Sequence, residues 1–205
     1  MDQEDKERMS KKSSVVWTVF PIIATAIAYG IGYLIYRFGN TEQYDARLEL
    51  AKTFELSWFY LACVLFSLTV GWLNTYPMRY KEAIMMGGNL RANMFIYKLA
   101  TDKTEEGSAV IMHEEGDIGR YNRANRSLYH FIENCLGFVV SLPICFFTYP
   151  LPTFISLCIY VVGRLIHQIG YTLKGFGGHG FGFLLSFLST LAIQGLLIVA
   201  CTKTF

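Results

Sequence analysis

The sequence places three ionisable side chains at helical spacing in the stretch RYNRANRSLYHFIENC, where a long apolar segment begins. Arg126, His130 and Glu133 follow one another at steps of four and three residues, which puts all three on one face of a helix. A guanidinium, an imidazole and a carboxylate together can hold the carboxylate and ammonium groups of a charged ligand. The same groups can also simply pair with each other and stabilise a helix bundle. The spacing leaves both interpretations open.

A second stretch, GRLIHQIGYTLK, adds further polar groups. Arg164 and Tyr171 share a helical face with either His167 or Gln168. Ionisable groups within a membrane segment are costly, and they are usually functional or paired inside a bundle. If the two helices are antiparallel neighbours, their polar groups meet at one end and predict a pocket for an anionic or zwitterionic ligand. We expect no haem or metal on His130 and His167, because membrane histidines are more often hydrogen-bonded to their bundle neighbours.

Five apolar segments must position these groups. They cover roughly residues 15–36, 56–73, 127–148, 152–173 and 181–201. Each is about twenty residues long, which is the length needed to cross a hydrocarbon core. Hydrophobic residues make up 53% of the chain and charged residues only 17%, whereas a soluble domain carries about 25% charge. The sequence therefore predicts an all-α integral membrane protein, and its net charge of +2 gives no basic field for binding nucleic acid.

The first apolar segment is predicted to be a retained transmembrane helix. It runs from Val15 to Tyr36 without an acidic or basic side chain, which is longer than the 7–15 apolar residues typical of a secretory signal. It also ends at Tyr36-Arg37 without a small-residue cleavage site. A mitochondrial presequence is poor in acidic residues, whereas four of the first eight residues here are acidic.

The basic residues predict the orientation of the helices. Five membrane crossings place 13 Lys and Arg residues on the side of the N-terminus and four on the opposite side, with Arg164 inside a helix. The N-terminus and the polar stretch 74–126 are therefore expected on the cytoplasm-like side. We expect residues 37–54 to form a polar connector, and a short amphipathic helix to lie on the membrane around 80–100. Very short connections predict that the last three helices are antiparallel neighbours.

The first polar stretch resembles a motif of the MAPEG family, the membrane-associated proteins in eicosanoid and glutathione metabolism. The run Tyr121-x-Arg123-x-x-Arg126, followed by Glu133-Asn134, is similar to the second-helix motif F-x-x-x-x-R-A-x-x-N-x-x-E of that family. The resemblance implies that the Arg126 and Glu133 side chains hold the charged ends of glutathione.

Two further stretches extend the resemblance. VVGRLIHQIGYT at 161–172 resembles the third-helix motif G-R-x-x-Y-x-x-G-Y, particularly in the branch of microsomal glutathione transferases with peroxidase activity. Arg79-Tyr80-Lys81 resembles the basic cluster that ends the family's first helix. The glutathione-binding residues implied by the whole resemblance are Arg79, Arg126, His130, Glu133, Asn134, Arg164, His167 and Tyr171.

The resemblance also implies a domain organisation. Residues 55–205 would form a MAPEG-like four-helix bundle, and residues 1–54 an N-terminal extension with one further transmembrane helix at about 15–36. The bundle helices would span about 55–75, 123–148, 152–173 and 181–201, with a long polar loop at 76–120. The family assembles as a homotrimer in the lipid bilayer, with glutathione as co-substrate between subunits near the cytoplasmic face. The expected location is the endoplasmic reticulum or a mitochondrial membrane.

The sequence departs from the family pattern at the residues closest to the chemistry. His130 stands in place of an asparagine and His167 in place of a tyrosine. The family's thiolate-stabilising arginine has no clear counterpart in LKGFGGHGFG, which offers Lys174 and His179. We expect Lys174 and Tyr171 to be the catalytic pair, since His179 lies among glycines and such a segment is flexible.

Two functions therefore follow from the resemblance. The first is glutathione transferase or peroxidase activity on lipophilic substrates. The alternative is a catalytically degenerate MAPEG-fold subunit with a structural role in a larger membrane complex, such as a mitochondrial inner-membrane assembly, where foreign subunits would be its partners.

Overall fold

The computed structural model describes residues 3–85, 94–101 and 108–205, which are largely helical. The elements, in chain order, are α1 (Gln3–Phe38), α2 (Thr41–Thr53), α3 (Ser57–Thr75), α4 (Met78–Met85), β1 (Tyr97–Thr101), β2 (Ser108–Met112), α5 (Gly116–Thr148), α6 (Pro150–Lys174) and α7 (Gly180–Thr204). In this described part, five helical segments are long and apolar enough to cross a membrane: α1, α3 continuing into α4, α5, α6 and α7. The prediction of an all-α integral membrane protein with an extra N-terminal helix is confirmed.

Helices α3, α5, α6 and α7 form the bundle around one apolar core. Its fully buried side chains include Leu73 of α3, Leu128 and Phe138 of α5, Leu157 of α6 and Ile193 of α7. The Phe138 ring stacks on the ring of Tyr160, with centroids 4.0 Å apart. Each of these helices turns an apolar face to this core. The polar groups of α5 and α6 lie at one end of the bundle, on the side of the N-terminus.

Helices α6 and α7 approach each other so closely that their backbones touch at two glycines. A Cβ on Gly182 would lie 2.5 Å from the Gly163 carbonyl oxygen and closer still to the His167 amide nitrogen. A Cβ on Gly163 would lie 2.6 Å from Ser186 Oγ. Small residues permit this kind of approach between membrane helices, where van der Waals packing drives association.

The N-terminal extension contains more helix than the sequence predicts. Residues expected to form a polar connector at 37–54 instead contain α2, which begins at an effective N-cap because the Asn40 side chain accepts a hydrogen bond from the Gln43 amide. None of the residues in the apolar window Pro21–Phe38 of α1 is buried. This helix therefore lies on the outside of the bundle.

The long polar stretch carries a β-hairpin where an amphipathic helix around 80–100 was expected. Helix α4 ends at Met85, and β1 pairs antiparallel with β2 in a register that joins Tyr97 to Met112. A short helix is present at residues 80–85, as part of α4, whereas the prediction is wrong for residues 94–100 and residues 86–93 lie outside the described part.

One side chain of α5 fixes the base of this hairpin. Asn122 is fully buried, and its Nδ2 donates to the carbonyl oxygens of Ile96 and His113 at 2.7 Å each. Its Oδ1 accepts a hydrogen bond from the Ile96 amide at 2.9 Å. Helix α5 begins at Gly116, several residues before the predicted start, because these bonds stabilise its first turns against the hairpin.

A surface ion pair also joins the hairpin to the start of α5. Lys98 Nζ lies 2.9 Å from Glu115 Oε1. The hydrogen bond from Lys98, together with its positive charge, lowers the pKa of the Glu115 carboxyl. The Glu115 side chain is exposed, so this pair adds little to the stability of the fold.

Candidate functional site

A cavity of about 290 Å³ lies between α5, α6 and α7, at the polar end of the bundle. Its walls are Arg126, Ser127, His130, His167, Tyr171, Phe176, His179 and Phe183. Four of these residues, Arg126, His130, His167 and Tyr171, belong to the predicted ligand set. The size is at the lower end of the range for small-molecule sites.

Arg126 and Glu133 lie on the outward face of α5 and bind each other. Arg126 Nη1 lies 3.0 Å from Glu133 Oε1 and 3.3 Å from Oε2, and both side chains remain about half exposed. Arg126 reaches the cavity wall, whereas Glu133 lies beyond it. The guanidinium is thus the charged group that a ligand in the cavity meets first.

The Arg164 side chain points into the bundle and contacts two residues of the cavity wall. Its residue surface is 2% exposed, and its guanidinium donates to the Ser127 carbonyl oxygen and to His130 Nδ1, each at 3.2 Å. It also lies 5.3 Å from the centre of the Phe131 ring, which is a cation–π distance. A buried charge held by three neighbours positions the α5 helix against α6, and Arg164 does not itself line the cavity.

Two imidazoles and a hydroxyl form the floor of the cavity. His167 is buried, and its Nδ1 lies 2.8 Å from Ser127 Oγ. The His130 ring stacks on the His167 ring with centroids 5.0 Å apart and nearly parallel planes. Gln168, the alternative to His167, instead donates to the Ala124 carbonyl oxygen and is fully buried away from the cavity. The face open to a ligand is therefore the one that carries His167 and Tyr171.

The turn between α6 and α7 places a third imidazole over the cavity. The His179 ring meets the Tyr171 ring edge-on at 5.2 Å and the His167 ring at 5.1 Å. A Cβ on Gly178 would lie 2.5 Å from the Gly170 carbonyl oxygen, so the turn lies directly on the α6 backbone. This close approach of the turn to α6 places His179 over the cavity.

The turn conformation requires glycine at two positions. Gly175 and Gly177 have φ of +69° and +89°, values that glycine adopts readily. The Gly178 amide donates to the Gly175 carbonyl oxygen at 3.1 Å, and Arg123 Nε donates to the Thr172 carbonyl oxygen at 3.1 Å. These bonds close the end of α6 against α5.

Besides Glu133 and Arg164, three more predicted site residues lie outside the cavity wall. Lys174 is exposed at the end of α6 and is not part of the cavity wall. Asn134 is exposed and donates only within its own helix, to the His130 carbonyl oxygen at 2.7 Å. Arg79 lies on α4, with its guanidinium 5.7 Å from the centre of the Tyr76 ring.

Sequence reasoning missed Ser127, Phe176 and Phe183 as wall residues. Ser127 follows Arg126 directly, and a search for ionisable groups passes over a serine in this position. Phe183 lies on the first turn of α7, where its ring contacts His130 at 6.1 Å. Among the residues that the structure describes, no group of His, Cys, Asp and Glu is arranged to hold a metal ion.

Comparison with known protein families identifies the class of protein. A model of the MAPEG family matches residues 56–199, which is more than half of the chain. The chain therefore belongs to the MAPEG family, the membrane-associated proteins of eicosanoid and glutathione metabolism. No curated protein and no solved structure matches the chain.

Proposed function

We propose that this protein binds glutathione in the α5–α6–α7 cavity and uses it in a transferase or peroxidase reaction on lipophilic substrates. The single observation that carries the proposal is the wall of that cavity, where the Arg126 guanidinium meets three imidazoles and a phenol. A guanidinium forms paired hydrogen bonds with a carboxylate, and glutathione carries two carboxylates. The lipophilic substrates would enter the site from the membrane around the bundle.

The sulfur of glutathione would be the nucleophile, so the protein needs no nucleophile of its own. A free thiol with a pKa near 8.5 is mostly protonated at neutral pH, and the site must favour the thiolate. Lys174 lies outside the wall, whereas His179 and Tyr171 lie in it and can donate a hydrogen bond to sulfur while Arg126 binds a carboxylate. We therefore assign the thiolate-stabilising role to His179 together with Tyr171.

The outward position of Arg126 and Glu133 supports assembly with a second copy of the chain. Charged side chains exposed to acyl chains cost at least a few kcal/mol each, and both side chains are about half exposed in one protomer. A neighbouring subunit of a homotrimer would cover this face and complete the cavity. Arg126 would then bind a glutathione carboxylate in place of Glu133. The Glu133 carboxylate would accept a hydrogen bond from the ammonium group of glutathione.

One observation favours the alternative, a structural subunit without catalysis. Arg126 and Glu133 already neutralise each other, and this pairing stabilises a bundle without any ligand. In that case foreign subunits of a membrane complex would cover the α5 face.

Thiolate absorbance on adding glutathione to the purified protein tests the proposal. We expect saturable glutathione binding, a thiolate band near neutral pH, and at least tenfold weaker binding in Arg126→Gln. Arg120→Gln is the matched control, because Arg120 is exposed on α5 outside the cavity and pairs with Asp117. Absence of glutathione binding to the wild-type protein would leave the structural alternative standing.

A further inference from the structure

We propose that the extra helix α1 creates a binding site for the acyl chains of a bilayer phospholipid. Two apolar cavities, of about 890 and 690 Å³, lie on either side of the line where α1 meets α3. They adjoin each other along the wall residues that they share, Pro21, Thr25, Tyr29, Leu68 and Trp72, and the two together are called the cleft. This cleft is separate from the glutathione site, and the proposal does not depend on it.

The chemistry of the wall fits a hydrocarbon chain. The three threonine hydroxyls of the cleft are satisfied within their own helices. Thr25 Oγ1 donates to the Pro21 carbonyl oxygen and Thr69 Oγ1 to the Leu65 carbonyl oxygen, each at 2.8 Å, and Thr75 Oγ1 donates to the Gly71 carbonyl oxygen at 3.1 Å. The threonine hydroxyls of the wall therefore need no polar group of a ligand as a partner. From Pro21 to Tyr29 the cleft follows α1 for about 12 Å, within a segment that is long and apolar enough to cross the hydrocarbon core.

The bundle and α1 leave the cleft open to the bilayer. The residues of α1 that line it are part of a window with no buried residue, and Leu68 of α3 remains 46% exposed. The cleft is thus continuous with the surface that the lipid already covers. Acyl chains are the molecules present at that depth, and an empty apolar space of this size would forfeit packing contacts.

The cation of Arg79 lies beyond the walls of the cleft, four residues after the wall residue Thr75, on the N-terminal side of the membrane. Trp72 lines the cleft, the Tyr76 ring lies 4.8 Å from the Trp72 ring, and the Arg79 guanidinium lies 5.7 Å from the Tyr76 ring. Lys81 follows on the same short helix, α4, which contacts α1. Phosphate is the anionic group of a phospholipid, and guanidinium and ammonium groups bind it well. This arrangement favours a phospholipid over an uncharged lipid.

Fluorescence quenching of Trp72 tests the site in the full-length protein in detergent. Trp17→Phe and Trp58→Phe leave Trp72 as the reporter, and the probe is phosphatidylglycerol with dibrominated acyl chains. We expect saturable quenching for Trp72. A protein that keeps Trp58 alone is the control, because Trp58 packs against the Phe154 ring outside the cleft, and its quenching should rise only gradually with added lipid.

Two pairs of variants locate the chains and the phosphate. Gly71 lines the cleft and a Cβ there meets no atom within 4 Å, so Gly71→Leu fills the space without a backbone clash. We expect it to weaken phosphatidylglycerol binding at least fivefold. Gly137→Leu, at an equally open helical glycine on α5, should leave it within twofold. Arg79→Gln should weaken phosphatidylglycerol binding and leave the weaker binding of brominated diacylglycerol unchanged.

Three results would overturn the proposal. Trp72 quenching that increases linearly without saturation would show bulk solvation by lipid only. Equal affinity in Gly71→Leu and the wild type would place the lipid elsewhere. A brominated free fatty acid that binds as tightly as the phospholipid would exclude the phospholipid as the specific occupant.

Discussion

Ser127 Oγ and His167 Nδ1 lie 2.8 Å apart in the buried contact between α5 and α6. The two residues are neighbours of Arg126 and of Tyr171 respectively in the cavity wall, so this hydrogen bond joins the two sides of the site directly. Ser127 makes a second contact with α6, because its carbonyl oxygen accepts a hydrogen bond from Arg164.

Ser127→Ala is expected to destabilise the protein by on the order of 1 kcal/mol, because it leaves a buried His167 nitrogen without its partner. Ser141→Ala is the matched control: Ser141 Oγ donates only to the Gly137 carbonyl oxygen of its own helix. The control should change the free energy of unfolding by a few tenths of a kcal/mol at most. Equal effects of the two substitutions in denaturant titrations would contradict this role for Ser127.

Gly170→Ala is expected to displace the α6–α7 turn, because the new Cβ would overlap the Gly178 carbonyl group. Overpacking of backbone against backbone costs about 1–3 kcal/mol, and His179 would move away from the cavity. The temperature of thermal unfolding and the affinity for glutathione should both decrease. Gly137→Ala, whose Cβ meets no atom within 4 Å, should be neutral or stabilising by about 0.5–1 kcal/mol. A Gly170→Ala protein as stable as the Gly137→Ala protein would disprove the close contact.

Asn122→Ala is expected to release the β-hairpin from α5, because it removes three hydrogen bonds worth on the order of 2 kcal/mol in total. Amide hydrogen exchange in β1 and β2 should become at least tenfold faster while α6 and α7 stay protected. Asn134→Ala serves as the control, since Asn134 is exposed and bonds only to its own helix. Unchanged exchange in the hairpin of Asn122→Ala would show that other contacts hold it.

Lys98→Met is expected to raise the pKa of the Glu115 carboxyl toward its ordinary value, since the hydrogen bond and the charge that lower it are both removed. A lowered pKa in the folded state means that the pair contributes stability above the carboxyl's unfolded pKa, and that this contribution disappears as the pH falls through the folded pKa. Carboxyl chemical shifts followed between pH 2 and 7 measure the change. Lys81→Met should leave the Glu115 titration as it is in the wild type.

Helix number and family were predictable because they depend on segment hydrophobicity and on polar residues at fixed spacing. The apolar lengths of α1, α3, α5, α6 and α7 determine membrane crossing before any tertiary contact forms. The side chains that the family motifs mark, such as Arg126 and Tyr171, are found in one cavity for the same reason: helical spacing sets their face, and short turns set the pairing of α5 with α6.

Features that depend on tertiary contacts were not predictable. Local periodicity cannot show that Asn122 bonds to both Ile96 and His113 at the base of a hairpin, so residues 94–100 were assigned to a helix. A count of glycines around His179 does not reveal the backbone contact between Gly170 and Gly178 that places His179 over the cavity. Likewise, the order of residues near Lys174 does not reveal that its side chain leaves the cavity at the helix end.

The backbone contact between α6 and α7 at Gly163 and Gly182 has a mechanical consequence for the cavity. Two helices that touch without intervening side chains cannot slide or rotate past one another without a clash, so they move as one rigid body. Helix α5 meets this rigid pair partly through the polar side chains of Ser127 and Arg164. A change in the tilt of α5 would therefore change the volume of the cavity, whereas the spacing of α6 and α7 would stay as it is.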